Sequence, residues 1–288
     1  MPNMNGKTVI ITGANQGIGK ASAIALGRMG AKLVLVCRSE EKARAAIAEI
    51  EKAGAKNVEL IQGDLGSLAD VRRVAKDFLA KHTRLDVLLN NAGLIVPSRR
   101  TTVDGIEETF AVNHLAPFLL TNLLLDVLKK TPGARVVTVS STAHRSGRMH
   151  WDDLQLANGY GAMKAYSQSK LCNILFTREL ARRLEGTGVT ANCLHPGVIA
   201  SGFGQTYGGF LSVLVKLGKP FLSTTEDGAK TQVWLSSSPE VEGITGKYFD
   251  KCAEAKPSRF ALEEGAPERL WDVSEKLVGL AKSASAAA

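Results

Sequence analysis

The sequence predicts an α/β fold in which a doubly wound parallel sheet carries helices on both faces. Short apolar, β-branched runs, of which Lys7–Thr12 is the first, alternate along the chain with longer segments of helical periodicity. These runs are continuously apolar, as expected for strands that are buried on both faces. A cluster of glycines between the first strand and the first helix is the third observation that favours this fold.

The alternation predicts the elements in order. Strands are predicted at 7–12, 32–37, 57–62, 85–89, 135–139, 188–194 and 246–250. Helices are predicted at 20–29, from an N-cap at Ser39, and at 68–81, 104–130, 161–185 and 267–280. Connections of this kind close as right-handed crossovers, so the strands are expected to run parallel.

The domain organisation follows from length and pattern. A chain of 288 residues with no repeat and no linker is predicted to form a single domain over 1–282. The Ser-Ala-rich end, 283–288, is expected to be a disordered tail. Residues 199–225 interrupt the alternation of strands and helices.

Composition limits the classes of protein to which the chain can belong. The chain is 44% hydrophobic and carries a formal charge of 36 − 28 = +8, but its basic residues cluster only in pairs, which favours a solvated surface over a nucleic-acid site. The four cysteines lack C-x-x-C spacing and the five histidines lack metal-ligand spacing, so reduced thiols and no metal site are expected. With no signal peptide and no spanning apolar run, we expect a soluble, cytoplasmic protein.

The glycine-rich turn predicts a phosphate-binding site. Glycines let the backbone approach a pyrophosphate, and the following helix N-terminus offers unpaired N–H groups and partial positive charge. The spacing here is G-x-x-x-G-x-G, placed directly after the first strand, which favours a Rossmann-type dinucleotide-binding fold. The residues expected to contact the cofactor are Gly13, Asn15, Gln16, Gly17, Ile18 and Gly19.

The residue after the second strand is expected to choose between NADP(H) and NAD(H). A carboxylate at this position would bind a ribose 2′-hydroxyl, whereas an arginine accommodates a 2′-phosphate. Arg38 follows Cys37, and no acidic residue occurs before Glu40. We therefore predict NADP(H) rather than NAD(H), with a solvent-facing Arg38 as the alternative.

Two successive Tyr-x-x-x-Lys pairs, Tyr160/Lys164 and Tyr166/Lys170, are candidates for proton transfer, since residues four apart lie on one helix face. Apolar residues at helical spacing follow Lys170, which places Tyr166 and Lys170 on a helix with one buried face. Tyr160 stands between two glycines, a poor helical environment, and is expected in the preceding loop, where it could line the pocket.

Together these residues resemble the short-chain dehydrogenase/reductase family over nearly the whole chain, and its retinol-dehydrogenase-like group within it. The resemblance implies a catalytic tetrad, Asn113, Ser141, Tyr166 and Lys170. It also implies further cofactor contacts, namely Asp64, Leu65, Asn91, Ala92, Gly93, Pro196, Gly197, Val198 and Ser201, besides Tyr166 and Lys170.

Chemistry assigns a task to each member of the tetrad. Tyr166 can donate a proton in carbonyl reduction or accept one in alcohol oxidation, and Lys170 is expected to lower the phenol pKa. Ser141 can hold the substrate oxygen, with Ser140 as the competing residue. Pro117 cannot donate to the carbonyl of Asn113, so a helix distortion is predicted there, at the position where the family holds a relay water.

The substrate side is expected to be lipophilic. Residues 199–225 combine glycines with aromatic and aliphatic side chains, which predicts a flexible lid; a packed amphipathic helix and a membrane-surface contact are the alternatives. The expected function is NADP(H)-dependent hydride transfer on a carbonyl or alcohol, with a lipophilic aldehyde or ketone as the expected substrate, carbonyl-reductase-like or retinol-dehydrogenase-like. The alternative is a non-catalytic dinucleotide-binding regulator. The physiological substrate, the reaction direction and the oligomeric state stay open.

Overall fold

A computed structural model of the protein describes residues 2–197 and 224–280. Eight strands form one sheet in the order β3-β2-β1-β4-β5-β6-β7-β8, which is parallel except for the last pair. The strands are β1 (Thr8–Thr12), β2 (Lys32–Cys37), β3 (Val58–Gln62), β4 (Val87–Asn90), β5 (Arg135–Val139), β6 (Thr190–His195), β7 (Tyr248–Asp250) and β8 (Ala253–Glu254). The predicted doubly wound α/β fold is confirmed.

The sheet is covered on both faces, which explains the unbroken apolar runs. Val9 and Ile11 of β1 join the hydrophobic cluster on one face, whereas Ile10 between them joins the cluster on the other. All three side chains are fully buried. Because successive side chains of a strand point to opposite faces, a strand buried on both sides cannot show the polar alternation of a half-exposed one.

The helices divide between the two faces. One face is covered by α1 (Gly17–Arg28), α2 (Glu40–Lys52) and α8 (Thr225–Ser237). The other face packs against α3 (Leu68–Lys81), α5 (Ala116–Leu123), α6 (Leu125–Lys129), α7 (Ala162–Arg183) and α9 (Ala266–Leu277). A short α4 (Glu108–Phe110) precedes α5. Within the part of the chain that is described, no helix is long and apolar enough to cross a membrane.

Two stretches differ from the sequence prediction. The helix expected over 104–130 is broken into three helices and a π-helical turn, Ala111–Leu115. The helix α8 was not predicted, because it is buried on several sides and lacks a clear apolar stripe; its signal was Thr224, whose side chain accepts a hydrogen bond from the Asp227 N–H as an N-cap.

The strand order places the candidate site. The chain reverses direction across the sheet between β1 and β4, which are neighbours although β2 and β3 lie between them in sequence. Ligands of open α/β sheets bind at such a switch point, beyond the carboxyl ends of the strands. The turns after β1, β2, β4, β5 and β6 therefore converge on one edge of the sheet.

Candidate active site

The glycine-rich turn is a close crossing of backbone segments. Gly13 and Gly17 have φ of +67° and +55°, in the region that favours glycine. A Cβ on Gly19 would lie 2.5 Å from Asn91 Nδ2 and 2.6 Å from the Gly13 carbonyl oxygen, so only glycine fits there. No side chain caps the N-terminus of α1 at Gln16, and no acidic residue lies in the first turn. This helix end is thus suited to an anion.

The turn after β1 is fastened to the turn after β4 by two side chains. Thr12 Oγ1 accepts hydrogen bonds from the backbone N–H groups of Asn91 and Ala92, each at 3.0 Å. Asn91 Nδ2 donates in return to the Thr12 carbonyl at 2.7 Å. Asn91 therefore shapes the cofactor turn through the backbone, and Thr12, which sequence reasoning did not single out for a role, is its partner.

The end of the cleft beyond β2 is basic. Arg38 follows β2, its side chain is 71% exposed, and a guanidinium nitrogen lies 3.8 Å from an Asp64 carboxylate oxygen. Lys42, one turn into α2, also lines the cleft there, as does Ser39, the N-cap of that helix. Lys42 was not predicted from the sequence. The available signal was its position four residues after Arg38, which brings it near Arg38 where α2 begins.

One cleft of about 620 Å³ connects the predicted residues. Its described lining includes sixteen of the predicted cofactor contacts: Gly13, Asn15, Gln16, Gly17, Ile18, Gly19, Arg38, Asp64, Leu65, Asn91, Ala92, Gly93, Tyr166, Lys170, Pro196 and Gly197. Val198 and Ser201 lie outside the described residues, as does the proposed lid except for its last two positions, which belong to the start of α8. A volume of this size, lined by backbone and glycines with a basic end, fits a dinucleotide.

Tyr166 and Lys170 lie together on α7 at the opposite end of the cleft. Lys170 is buried, and its Nζ donates a hydrogen bond to the Val139 carbonyl at 3.0 Å, at the end of β5. The same nitrogen lies 5.5 Å from the centroid of the Tyr166 ring. A Cβ on Gly93 would lie 3.2 Å from it, so the glycine after β4 leaves room for the lysine.

The structure separates the two serines after β5. The Ser141 side chain lines the cleft and is hydrogen-bonded to the Tyr166 side chain. Ser140 is buried, and its Oγ donates to the Lys170 carbonyl at 2.7 Å. Ser141 is thus the serine placed to share a substrate oxygen with Tyr166, whereas Ser140 ties the strand to α7.

A histidine that sequence reasoning did not select holds the Ser141 turn. His144 is fully buried, its Nε2 accepts from the Ser258 N–H at 3.0 Å, and its Nδ1 lies 2.6 Å from the Ser141 carbonyl oxygen. The first bond leaves the proton on Nδ1, which therefore donates to Ser141. Burial lowers the His144 pKa, so the ring stays neutral. His195, at the end of β6, accepts from the Thr142 N–H at 3.3 Å.

Asn113 lies behind the cleft rather than in its lining. It sits in the π-helical turn before Pro117, where the predicted distortion is found. Its buried amide accepts from the Leu94 N–H and donates to the Leu94 carbonyl, both at 2.8 Å, and donates to Ser169 Oγ at 2.9 Å. The side chain therefore joins the segment after β4 to α7, and the water relay at its main-chain carbonyl stays a prediction.

Burial dominates the electrostatics of the candidate catalytic pair, Tyr166 and Lys170. Desolvation lowers the pKa of Lys170 to about 8. It raises the pKa of Tyr166 to about 12, and the hydrogen bond with Ser141 opposes that rise. The protein alone therefore does not lower the Tyr166 pKa as expected, because the same burial disfavours the ammonium that would do so.

The lowered Lys170 pKa makes stability depend on pH. Between pH 8 and the unfolded value near 10.5, the unfolded chain binds more protons than the folded protein, so the free energy of unfolding rises with pH. Below pH 8 both states carry the proton and this contribution is absent. The raised Tyr166 pKa acts in the opposite direction only above pH 10.

We predict that the stability of the cofactor-free protein relative to Lys170→Met rises by about 2 kcal/mol from pH 8 to pH 10. Urea unfolding of both proteins at pH 8, 9 and 10 measures this difference, and groups that titrate equally in the two proteins cancel. A difference that stays constant over this range would contradict the lowered pKa.

The remaining chemistry-bearing residues form no second centre in the described ranges. All four cysteines are free thiols, three of them buried. Over residues 2–197 and 224–280, no group of three or more His, Cys, Asp or Glu side chains is placed to hold a metal ion.

Known proteins similar to this chain are of the class that the cleft residues indicate. The family model of the short chain dehydrogenases matches residues 7–208. Retinol dehydrogenase 14 of Homo sapiens is 43% identical over 97% of this chain and 88% of its own length. Retinol dehydrogenase 12 of Mus musculus is 44% identical over 96% of this chain and 87% of its own length.

Solved structures share the fold. A crystal structure of an uncharacterised protein from Mycobacterium paratuberculosis has a TM-score of 0.79 and 35% identity, covering 97% of this chain and 96% of that protein. The Pseudomonas aeruginosa protein RhlG, solved as a complex with NADP, has a TM-score of 0.70 and 26% identity, covering 86% and 95% of the two chains. With the glycine turn, the Tyr166/Lys170 pair and these relatives in agreement, the chain belongs to the short-chain dehydrogenase family, in its retinol-dehydrogenase-like group.

Proposed function

We propose that this oxidoreductase is NADP(H)-dependent and transfers a hydride between nicotinamide and a carbonyl or alcohol group, with a lipophilic aldehyde or ketone as its substrate. The observation that carries the proposal is the placement of Tyr166, Lys170 and Ser141 at the β5 end of a cleft that begins at the basic β2 end. The four strands β2, β1, β4 and β5 are consecutive in the sheet, so the cleft spans the switch point.

The protein side of the reaction is proton transfer and orientation. A bound nicotinamide supplies the hydride donor or acceptor. Tyr166 delivers a proton to the developing alkoxide in reduction and accepts one in oxidation. Ser141 holds the substrate oxygen against the phenol, and Lys170, when protonated, stabilises the phenolate. The Val139 carbonyl fixes the Lys170 side chain for that task.

The basic end supports NADP(H). Arg38 and Lys42 offer two cations beyond β2, where a ribose 2′-phosphate would lie. Asp64 is the acidic residue nearest to Arg38, at a loose 3.8 Å, which leaves the exposed guanidinium able to pair with a phosphate. The structure of RhlG with NADP, a protein of similar fold, agrees with this assignment.

The wall after β4 supports a lipophilic substrate. Leu94, Ile95 and Val96 line the cleft in succession, starting next to Gly93, which lies against Lys170. Apolar side chains of this kind bury the body of a ligand, while the polar groups at the end fix its orientation. Its similarity to proteins named retinol dehydrogenases is consistent with such a substrate. A cytoplasmic location is part of the proposal, supported by the four free thiols.

One assay tests the activity. NADPH oxidation is followed with aliphatic, aromatic, retinoid and steroid carbonyls, and we expect the highest kcat/KM with large apolar compounds. Turnover confined to small, charged carbonyls would refute the lipophilic substrate. Tight NADPH binding without turnover of any compound would favour a dinucleotide-binding regulator instead.

Cofactor choice is tested at Arg38. We predict that Arg38→Ala lowers kcat/KM for NADPH by about 10- to 100-fold, the value of a charge-assisted contact, and changes that for NADH less than threefold. Arg44→Ala is the matched control, because its side chain has the same 71% exposure on the neighbouring helix but is absent from the described cleft lining. Equal losses with both cofactors at Arg38→Ala would contradict the 2′-phosphate contact.

A further inference from the structure

The other Tyr-x-x-x-Lys pair, Tyr160/Lys164, does not form a catalytic unit. The helix α7 begins at Ala162, so Tyr160 lies in the loop before it and Lys164 lies in its first turn. Lys164 is exposed, and its Nζ donates a long hydrogen bond to the Gly159 carbonyl, at 3.4 Å. Tyr160 is half-buried and absent from the described cleft lining, contrary to the expectation that it lines the pocket. Its hydroxyl donates to the Val96 carbonyl at 2.7 Å.

The acceptor belongs to the apolar side of the cleft. We call Leu94–Val96 the wall segment; all three of its residues line the cleft. It begins one residue after Gly93, where an added Cβ would lie 3.2 Å from Lys170 Nζ, so it starts beside the catalytic lysine. A substrate whose carbonyl meets Tyr166 and Ser141 therefore places its body against this segment.

The wall segment is held at both ends by side chains. At its start, the Asn113 amide bonds both the N–H and the carbonyl of Leu94, at 2.8 Å each. At its end, the Tyr160 hydroxyl bonds the Val96 carbonyl. Ile95, between the two attachments, is therefore fixed in position along the cleft. Among the described residues, loss of the Tyr160 bond would leave the segment with only the Asn113 side-chain hydrogen bonds at its start.

The loop that carries Tyr160 is itself well anchored. The Asp153 carboxylate accepts from the N–H groups of Ala157 and Asn158, at 2.7 and 3.0 Å. Gln155 Oε1 accepts from the Glu107 N–H at 3.1 Å, and the Gln155 carbonyl accepts from Arg99 Nε at 3.2 Å. The loop is thus hydrogen-bonded to Arg99 and to Glu107, which both follow β4 in the chain. Burial raises the Tyr160 pKa, so its hydroxyl keeps its proton at neutral pH.

We propose that Tyr160 is a specificity-positioning residue, whose hydroxyl fixes the wall segment so that it can pack against the body of a large apolar substrate. The inference rests on the proposed function, since it assumes that the carbonyl binds at Tyr166. It assigns to Tyr160 a contribution to substrate binding and none to proton transfer. Binding that is equal in ground and transition states changes KM and leaves kcat unaltered.

The test is Tyr160→Phe, which removes the hydroxyl and keeps the ring. With a long-chain or polycyclic carbonyl, we expect KM to rise about 5- to 10-fold, as for the loss of one hydrogen bond, while kcat changes less than twofold. With a three-carbon aldehyde and with NADPH, KM stays within twofold of wild type. Lys164→Met, which alters the other member of the same spacing, leaves both substrates unchanged, and thermal unfolding checks that each variant is folded.

The outcomes separate this inference from the function on which it rests. An active wild type whose KM for the large substrate is unaltered in folded Tyr160→Phe overturns the inference and leaves the function standing. A fall of more than 100-fold in kcat with unaltered KM would make Tyr160 a proton-transfer residue and also overturn it. Absence of wild-type turnover with every carbonyl refutes the proposed function and this inference together.

Discussion

Replacement of Tyr166 by phenylalanine is expected to reduce kcat by about 10²- to 10⁴-fold, the usual contribution of a positioned general acid–base group. The phenol is the group hydrogen-bonded to Ser141 and placed beside Lys170 at the cleft end. Without the phenolic proton, the alkoxide formed by hydride transfer has no acid placed to protonate it. NADPH binding, measured by fluorescence titration, should change less than threefold, because the phosphate turn is untouched.

Tyr248→Phe is the matched control for this change. Its hydroxyl is buried in β7 and has no hydrogen-bond partner among the described residues, so its removal costs no contact that the structure shows. The cleft lining does not include it. We expect wild-type kcat and wild-type cofactor affinity. A Tyr166→Phe enzyme that retains more than a tenth of wild-type kcat would remove Tyr166 from the proton-transfer step.

Replacement of Lys170 by methionine is expected to lower kcat/KM by roughly 10- to 10³-fold. An opposite charge at this range shifts a pKa by one to three units, and each unit corresponds to a tenfold change. Loss of the ammonium leaves burial, which raises the phenol pKa, opposed by the hydrogen bond with Ser141. The pH profile of alcohol oxidation should therefore move to higher pH, since the phenolate that accepts the proton forms later.

Lys164→Met provides the comparison, because it removes the same charge from the same helix at an exposed position. Rates and pH profile should match the wild type there. Steady-state kinetics from pH 6 to pH 10 measures both effects for each variant. An unshifted profile in Lys170→Met would show that the lysine acts through cofactor binding and has no effect on the phenol.

The pKa shifts of Tyr166 and Lys170 also bear on why these two side chains are buried. In the protein alone, desolvation keeps Tyr166 protonated and lowers the pKa of Lys170. Below pH 8 the site therefore holds a neutral phenol beside a protonated lysine, and a bound, positively charged nicotinamide would favour the phenolate. We expect the reactive protonation state to be produced by cofactor binding, which couples proton transfer to the presence of the hydride carrier.

Local sequence pattern was enough to predict the sheet and the framework of the site. Strands such as Lys32–Cys37 are apolar throughout because both faces are covered, and this pattern depends on local residues alone. Gly13 and Gly19 lie where the backbone is approached closely, and Gly13 and Gly17 have positive φ angles that favour glycine. The choice of Tyr166 over Tyr160 also came from local pattern, because the glycines at 159 and 161 exclude Tyr160 from the helix.

Which side chains meet depends on how distant segments of the chain pack together. The separation of Ser140 from Ser141 depends on which one faces α7, and the role of the Asn113 amide depends on Leu94, nineteen residues away. The His144 bond to Ser258 and the Tyr160 bond to Val96 join segments distant in the chain. The Tyr166 pKa likewise follows from burial by the whole fold. Periodicity and spacing report one segment at a time, whereas these contacts arise where separate segments pack.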